Sequence, residues 1–254
     1  LKKGFTLLLL RLFFAASSFA ANIAPADTVA TPPADSAQHQ TVASYILPTA
    51  LISYGVLSFH SQSLRNADFY VQRNFSNSKN RLLYHVDDIL QYSPAAAVYA
   101  LNTFGIQGKH NFADRTFTYV IAEGLMISTT KLMKRGMSRP DINGNTLHGF
   151  PSGHSATAFL AAEFLSQEYG DRSVWFTVGG YSAAALIAVL RVRNNFHYMS
   201  DVITGAGIGI ASAKLAYLVY PVLKQALLPK NRNNIVIMPA RLSNINGVYI
   251  AGTF

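Results

Sequence analysis

The chain has no cysteine, one tryptophan, and only 12 acidic residues among 254. Without thiols, disulfides and thiolate nucleophiles are excluded, and a zinc site would have to be assembled from imidazoles and carboxylates alone. Charged residues make up 13% of the sequence, against roughly 25% in an ordinary soluble domain. Half of the residues are hydrophobic. Little charge with much apolar surface points to an all-α protein embedded in a membrane. The length suits one sizeable domain with short appendages.

The charge that is present is lopsided. The formal net charge is +9, and several of the basic residues crowd into two short stretches, 131–139 and 191–193. Clustered Lys and Arg serve nucleic acid, an anionic membrane surface or a phosphate pocket. No zinc-finger spacing and no aromatic strand signature accompanies them, so nucleic acid is not the expected partner. The bilayer and a phosphorylated ligand are.

Lys2 and Lys3 precede an apolar run over 6–16 that only Arg11 interrupts, and Ser18-Phe19-Ala20 is a small-x-small cleavage pattern. Residues 1–21 are therefore expected to be a secretory signal peptide, with an uncleaved signal anchor as the alternative. Residues 22–42, rich in Ala, Pro, Thr, Ser and Asp, read as a flexible linker. Helical apolar patterns then cover roughly 43–60, 81–104, 115–133, 153–168, 173–190 and 201–223. They predict a helical domain over 43–225, an antiparallel bundle of about six helices. Residues 226–254 form a tail whose β-prone pieces, 235–238 and 248–254, flank a turn-like 243–247 and predict a short hairpin.

Several polar residues within these segments have ordinary readings. Gly205 and Gly209 stand at the spacing that lets helices pack closely. Glu123, inside the third segment, reads either as a functional carboxylate or as one end of a helix-to-helix hydrogen bond. Asp87 and Asp88 are neighbours on an amphipathic stretch, and neighbours on a helix do not share a face. They are expected on a solvated face.

Three stretches concentrate reactive side chains. The first runs from Lys131 through Lys134 and Arg135 to Arg139-Pro140. The second is Phe150-Pro151-Ser152-Gly153-His154. The third runs from Arg191 and Arg193 to His197, Ser200 and Asp201. If the helices alternate in direction, the connections 134–152 and 191–200 lie at one end of the bundle, and all three stretches share a mouth. Ser152 is a favoured N-cap, and the free N–H groups of the helix it opens would bind an anion. Gly153 would let the backbone approach a phosphate oxygen. His197 and Asp201, four apart, share a helical face, where a carboxylate fixes and stabilises an imidazole; a capping Asp beside a surface His is the plainer alternative. Lys131, Arg139 and Arg191 would supply positive charge for phosphoryl transfer. Lys134, Arg135 and Arg193 read more readily as headgroup-boundary residues.

Together the three stretches resemble the type 2 phosphatidic acid phosphatase superfamily, which also holds bacterial non-specific acid phosphatases and vanadium haloperoxidases. Its pattern is Lys, six residues, Arg-Pro; then Pro-Ser-Gly-His; then Ser-Arg, five residues, His, three residues, Asp. The second element matches in full. The third matches at Arg191, His197 and Asp201, with Leu190 in place of the preceding Ser. The first departs: Lys131 stands eight positions before Arg139 rather than seven, and Leu132 occupies the family position. Lys131 is the first choice for that lysine, with Lys134 as its rival.

The resemblance implies a mechanism. His197 attacks phosphorus, oriented by Asp201. His154 protonates the leaving oxygen and then activates water against the phosphohistidine. Lys131, Arg139, Arg191, Ser152 and Gly153 hold the phosphate. No cofactor and no metal are implied. The leading expectation is a lipid phosphatase acting on a lipid phosphate or diphosphate, with undecaprenyl diphosphate, phosphatidic acid, phosphatidylglycerol phosphate and the lipid A phosphates as candidates. It would sit in the bacterial inner membrane with its mouth toward the periplasm. The alternatives are a soluble periplasmic acid phosphatase, a vanadate-dependent haloperoxidase, and an inactive membrane scaffold.

Overall fold

A computed structural model describes residues 42–77, 85–137, 139, 142, 149–227, 236–242 and 245–251. The expected signal segment and nearly all of the expected linker lie outside the described residues. The chain divides into two compact units, one ending at Leu218 and one beginning at Val219.

After a 3-10 turn at Val42–Tyr45 come α1 (Ile46–Ser58), α2 (Gln62–Phe75), α3 (Val86–Leu90), α4 (Ser93–Thr103), α5 (Phe112–Gly136), α6 (Gly153–Tyr169), α7 (Val174–Arg193) and α8 (Met199–Leu227). The main helices start on side-chain caps. Asn111 accepts from the Asp114 N–H at 2.9 Å, Ser152 from Ser155 at 3.4 Å and Ser173 from Trp175 at 3.3 Å. Each cap satisfies one of the donors that a helix N-terminus leaves unpaired.

Two expectations need correction. No helix was expected over 62–75, yet α2 is there, capped by Ser61 and set at 94° to α1. Its sequence is polar on average, so an apolar-pattern reading passes over it. The segment 81–104 was expected as one helix. Within the described residues it is two, α3 and α4, and Pro94 stands in the first turn of α4. Proline cannot continue a helix interior but suits a helix start.

The centre of the bundle is α6. Thirteen of its residues are buried, among them Glu163, Gln167 and Glu168. These polar side chains make α6 look too short from sequence, and the two glutamates have partners on the neighbouring helices. Glu163 meets Lys214 of α8 at 2.8 Å and the Tyr181 hydroxyl, while Glu168 accepts from Tyr217 at 2.7 Å. Helices in lipid gain little from the hydrophobic effect against one another and rely on close packing of small residues. The α6–α7 seam follows that rule with Ala158, Ala162, Ala184 and Ile187. So does α8: a Cβ at Gly205 would collide with the Ser152 carbonyl, and one at Gly209 with the Ala156 carbonyl.

Two helices, α7 and α8, are long and apolar enough to cross a membrane, and α1 with α2 would make a third if the bent pair is one span. At 20 residues, α7 is about 30 Å long, the thickness of a bilayer's hydrocarbon core. It also leaves Trp175, Val178, Leu186 and Val189 exposed, as a lipid-facing helix would. The fold is all-α and membrane-embedded, as the sequence implied. Glu123 resolves simply: it accepts from Tyr119 one turn earlier on α5 at 2.9 Å.

In the second unit, β1 (Val236–Leu242) pairs antiparallel with β2 (Ile245–Ala251). The expected hairpin is present with a longer first strand and a second strand that starts earlier, since Ile245 already pairs with Leu242.

Candidate active site

The end of α5, the start of α6, the α7–α8 connection and the start of α8 come together, and polar residues from each of the three motif stretches, Arg139, His154, Arg191, His197 and Asp201 among them, meet there. The Ser152 N–H donates to the backbone carbonyl of Asp201 at 3.0 Å, which fixes the second stretch against the third. Ser152, expected both to cap α6 and to hold phosphate, is fully buried and provides the cap. A Cβ at Gly153 would meet nothing within 4 Å, so the approach to the α6 N-terminus is open at that residue.

The α7–α8 connection is a tight fold. Asn195 takes a left-handed conformation (φ 61°), which Asn tolerates better than most residues. The N–H groups of Phe196 and His197 then return to the Arg191 carbonyl at 3.0 and 3.3 Å. His197 Nδ1 lies 3.5 Å from Asp201 Oδ2. That is ion-pair range, and Nδ1 makes no hydrogen bond among the described residues. The same Asp201 oxygen accepts from the Tyr198 N–H at 2.9 Å.

Each arginine is held by a buried carboxylate that the motifs do not include. Arg139 Nη2 donates to Asp68 Oδ2 at 2.9 Å, while Nη1 reaches Ser200 Oγ at 2.8 Å and Asp201 Oδ1 at 3.4 Å. The Arg139 guanidinium also lies over the Tyr198 ring, 4.0 Å from its centroid. Asp68 has no solvent exposure and accepts from the Ser200 N–H at 2.9 Å and its hydroxyl at 2.6 Å. Arg191 Nη1 donates to Asp87 Oδ2 at 2.8 Å, and its guanidinium packs on Phe196. Arg191 Nε is buried and unpaired among the described residues, a donor still available to an anion.

The expectation that Asp87 and Asp88 form a solvated face is overturned for Asp87, while the Asp88 side chain stays 44% exposed. Asp87 is fully buried against Arg191. Asp88 Oδ1 meets His154 Nε2 at 2.8 Å, and its Oδ2 meets His85 Nδ1 at 2.9 Å. The two carboxylates face different ways: α3 lies against α7 and α6, and adjacent residues serve different partners. Those hydrogen bonds from His85 and His154 hold the Asp88 carboxyl below its ordinary value. Burial, followed by the charge of Arg191, pushes the His154 imidazole below its own, and Asp88 and Asp87 oppose that shift.

The two candidate lysines stand about 60° apart around α5 and differ in burial. Thr130, Met133 and Met137 are buried, and Lys134 shares their side at i+4 from Thr130. Lys134 is half-buried; burial lowers the pKa of its ammonium group, and the charge of Asp201 opposes the shift. Lys131 is exposed, like Ile127 and Arg135 at i−4 and i+4. Among the described residues no other motif residue contacts it. Because α5 stays helical through Gly136, Lys134 stands at the margin of the buried face and Lys131 about 60° further toward the exposed side.

A sequence reading misses Asp68, Asp87, Asp88 and His85. One signal was available. In a chain with 12 acids, buried arginines need counter-charges, so acids near apolar segments are candidates for that duty.

Residues 102–225, which contain all three motif stretches, match the family model of the PAP2 superfamily. Over these residues the chain is similar to the PAP2 superfamily. A lipid A 1-phosphatase of Porphyromonas gingivalis is 33% identical over 133 residues, 52% of this chain and 30% of that protein. A PA-phosphatase related-family protein of Dictyostelium discoideum is 30% identical over 145 residues, 47% of this chain and 51% of that one. The chain thus spans about a third to a half of the curated relatives it matches. A crystal structure of a transmembrane PAP2-type phosphatidylglycerolphosphate phosphatase from Bacillus subtilis is 17% identical, with a TM-score of 0.48 over 73% of this chain and 99% of that one. The carboxylates Asp68, Asp87 and Asp88 lie upstream of the PAP2-matched residues.

Proposed function

We propose that this protein is a phosphatase that hydrolyses a lipid phosphate or lipid diphosphate through a phosphohistidine formed on His197. The observation that carries the reading is the convergence of His197, His154, Arg139 and Arg191 at one end of a membrane-embedded bundle, with each arginine fixed by its own buried carboxylate. Phosphoryl transfer depends on placing cations around three equatorial oxygens, and pre-fixed guanidinium groups meet that need without reorganisation.

In the proposed reaction Arg139, Arg191, Lys134 and the Gly153 N–H hold the phosphate. Lys134 replaces Lys131 here because of the helix phase. Asp201 lies beside Nδ1 of His197, so Nε2 attacks phosphorus as the bond to the leaving oxygen breaks. His154 gives that oxygen its proton. A water then transfers a proton to His154 as its oxygen attacks the phosphohistidine; the P–N electron pair returns to Nε2 and inorganic phosphate leaves. General acid–base assistance of this kind contributes on the order of 10²–10⁴ in rate.

A lipid substrate is supported by the bundle itself: a mouth at the ends of membrane-embedded helices meets headgroups. The Porphyromonas gingivalis relative, named for lipid A, makes lipid A phosphates a first candidate beside undecaprenyl diphosphate, phosphatidic acid and phosphatidylglycerol phosphate. The proposed setting is the bacterial inner membrane with the mouth toward the periplasm, supported by the secretory pattern of residues 1–21.

The test is phosphate release by detergent-purified protein from these lipids and from a soluble ester, with chelator present. Preference for one lipid, lost in His197→Ala, is expected. Undiminished turnover by His197→Ala would sink the mechanism, and equal or faster turnover of the soluble ester would favour a non-specific acid phosphatase.

A further inference from the structure

Both histidines of the site stand beside a carboxylate, but through opposite nitrogens. His197 has Asp201 on its Nδ1 side at 3.5 Å. His154 has Asp88 on Nε2 at 2.8 Å. Among the described residues His154 Nδ1 makes no hydrogen bond. It is therefore the nitrogen left to meet a leaving oxygen or a water. Asp88 in turn is fixed from its other oxygen by His85 at 2.9 Å. His85 stands at the N-terminal end of α3 in a left-handed conformation (φ 67°), and its side chain is largely exposed. The result is a chain of three side chains, His85, Asp88 and His154, leading from solvent to the proposed acid–base.

We propose that Asp88 is the positioning residue of the acid–base: it holds His154 with the proton on Nε2, presents Nδ1 to the reaction, and stabilises the imidazolium that donates to the leaving oxygen. This rests on the phosphatase reading above and adds a residue to it. The carboxylate fixes the tautomer because an ionised carboxylate only accepts, so Nε2 must carry the hydrogen. The other charges bearing on His154 are Arg191 of α7, which disfavours the imidazolium, and Asp87 of α3, which favours it. Asp87 is committed to Arg191 at 2.8 Å, whereas Asp88 touches the imidazole directly. In the first step the bond to the leaving oxygen breaks, that oxygen takes the Nδ1 proton, and His154 becomes neutral with Nε2–H still on Asp88. In the second step Nδ1 takes a proton from water, and the same contact stabilises the cation.

The contact predicts a dependence on the leaving group that a merely structural carboxylate would not produce. Leaving groups that depart as stable anions need little protonation; lipid alkoxides need it fully. The experiment compares wild type, Asp88→Asn and Asp88→Glu on a lipid phosphate monoester and on p-nitrophenyl phosphate across pH. For Asp88→Asn, kcat/KM on the lipid should fall about 100-fold at neutral pH, within the range of general acid catalysis. The fall on p-nitrophenyl phosphate should be less than about 10-fold on the same grounds. The alkaline limb of the lipid profile should move to lower pH, and Asp88→Glu should restore part of the loss. Equal losses on both substrates, or a profile that overlays the wild type, would overturn the proposal. The control is wild-type turnover and its dependence on His197. If that fails, the phosphatase reading falls and takes this proposal with it; if it holds while the Asp88→Asn profile stays unmoved, this proposal alone is overturned.

Discussion

The Ser152 N–H donates to the Asp201 carbonyl at 3.0 Å, so the helix that opens on His154 and the helix that carries Asp201 are joined at their first residues. That junction needs α8 to approach α6 to backbone distance, and Gly205 permits it: a Cβ there would collide with the Ser152 carbonyl and lie 3.1 Å from Ser155 Cβ. Gly205→Leu should therefore separate the two motif stretches. Overpacking usually costs about 1–3 kcal/mol, and the obstacle here is backbone, which yields less than a side chain. Tm in detergent should fall by several degrees, since about 2–4 °C accompany each kcal/mol in a chain of this size, and phosphate release should fall with it. Gly124→Leu is the matched control, because a Cβ at Gly124 meets nothing within 4 Å; it should leave both readings near wild type.

The lysines give a test in which sequence spacing and structure disagree. Spacing ranks Lys131 first, and helix phase ranks Lys134 first. Loss of one pre-fixed donor to a developing oxyanion typically costs about 2.7–4 kcal/mol of barrier, or about 10²–10³ in rate. Lys134→Ala should show that loss in kcat/KM, and Lys131→Ala should stay within about twofold of wild type, as exposed substitutions usually do. The reverse ranking would mean that α5 unwinds before Lys134 when substrate binds.

Asp68 couples α2 to the site. It is fully buried and takes hydrogen bonds from Arg139 and from both donors of Ser200. Asp68→Ala leaves the Arg139 guanidinium with only the longer ion pair to Asp201 at 3.4 Å, and removing one partner of a buried pair costs about 3–5 kcal/mol. The expected result is a lower Tm and a loss of activity comparable with that of Arg139→Ala. Asp68→Asn keeps an acceptor for the Ser200 N–H, and its Tm should lie between those of Asp68→Ala and wild type. If Asp68→Ala kept full activity, Arg139 would not depend on α2 for its position.

What could be read from sequence, and what could not, divides along a physical line. Helices whose apolar residues must face lipid or the bundle, such as α7 and α8, announce themselves in composition, and α6 nearly does. Motif residues spaced within one helix or one turn, such as His197 and Asp201, are visible because local geometry is periodic. Asp68 and Asp87 serve partners 71 and 104 residues away, and no local period reports a contact of that range. The helix carrying Asp68 is amphipathic and polar on average, so it fell below an apolar-pattern reading. The break between α3 and α4 was legible in Pro94 and was passed over. The lysines show where a linear count and helix direction diverge: the motif count ranks Lys131 first, while direction, which turns by about 100° per position, ranks Lys134 first.

The Asp88 contacts make a prediction about stability as well as catalysis. Hydrogen bonds from His85 and His154 hold the folded-state pKa of Asp88 below its ordinary value, which in an unfolded chain is about 3.9. The unfolded state therefore binds more protons in that window, and stability rises with pH across it. The contribution of Asp88 is present in full above the unfolded value and is lost as pH falls through the folded one. Asp88→Asn cannot show this dependence. Denaturation curves in detergent should separate wild type from Asp88→Asn at pH 6, with wild type the more stable. The gap should close as pH drops below about 3.9 toward the depressed folded-state value. A gap that stayed constant down to low pH would mean that Asp88 contributes through its shape and not its charge. The tautomer control assigned to it at His154 would then lose its electrostatic basis.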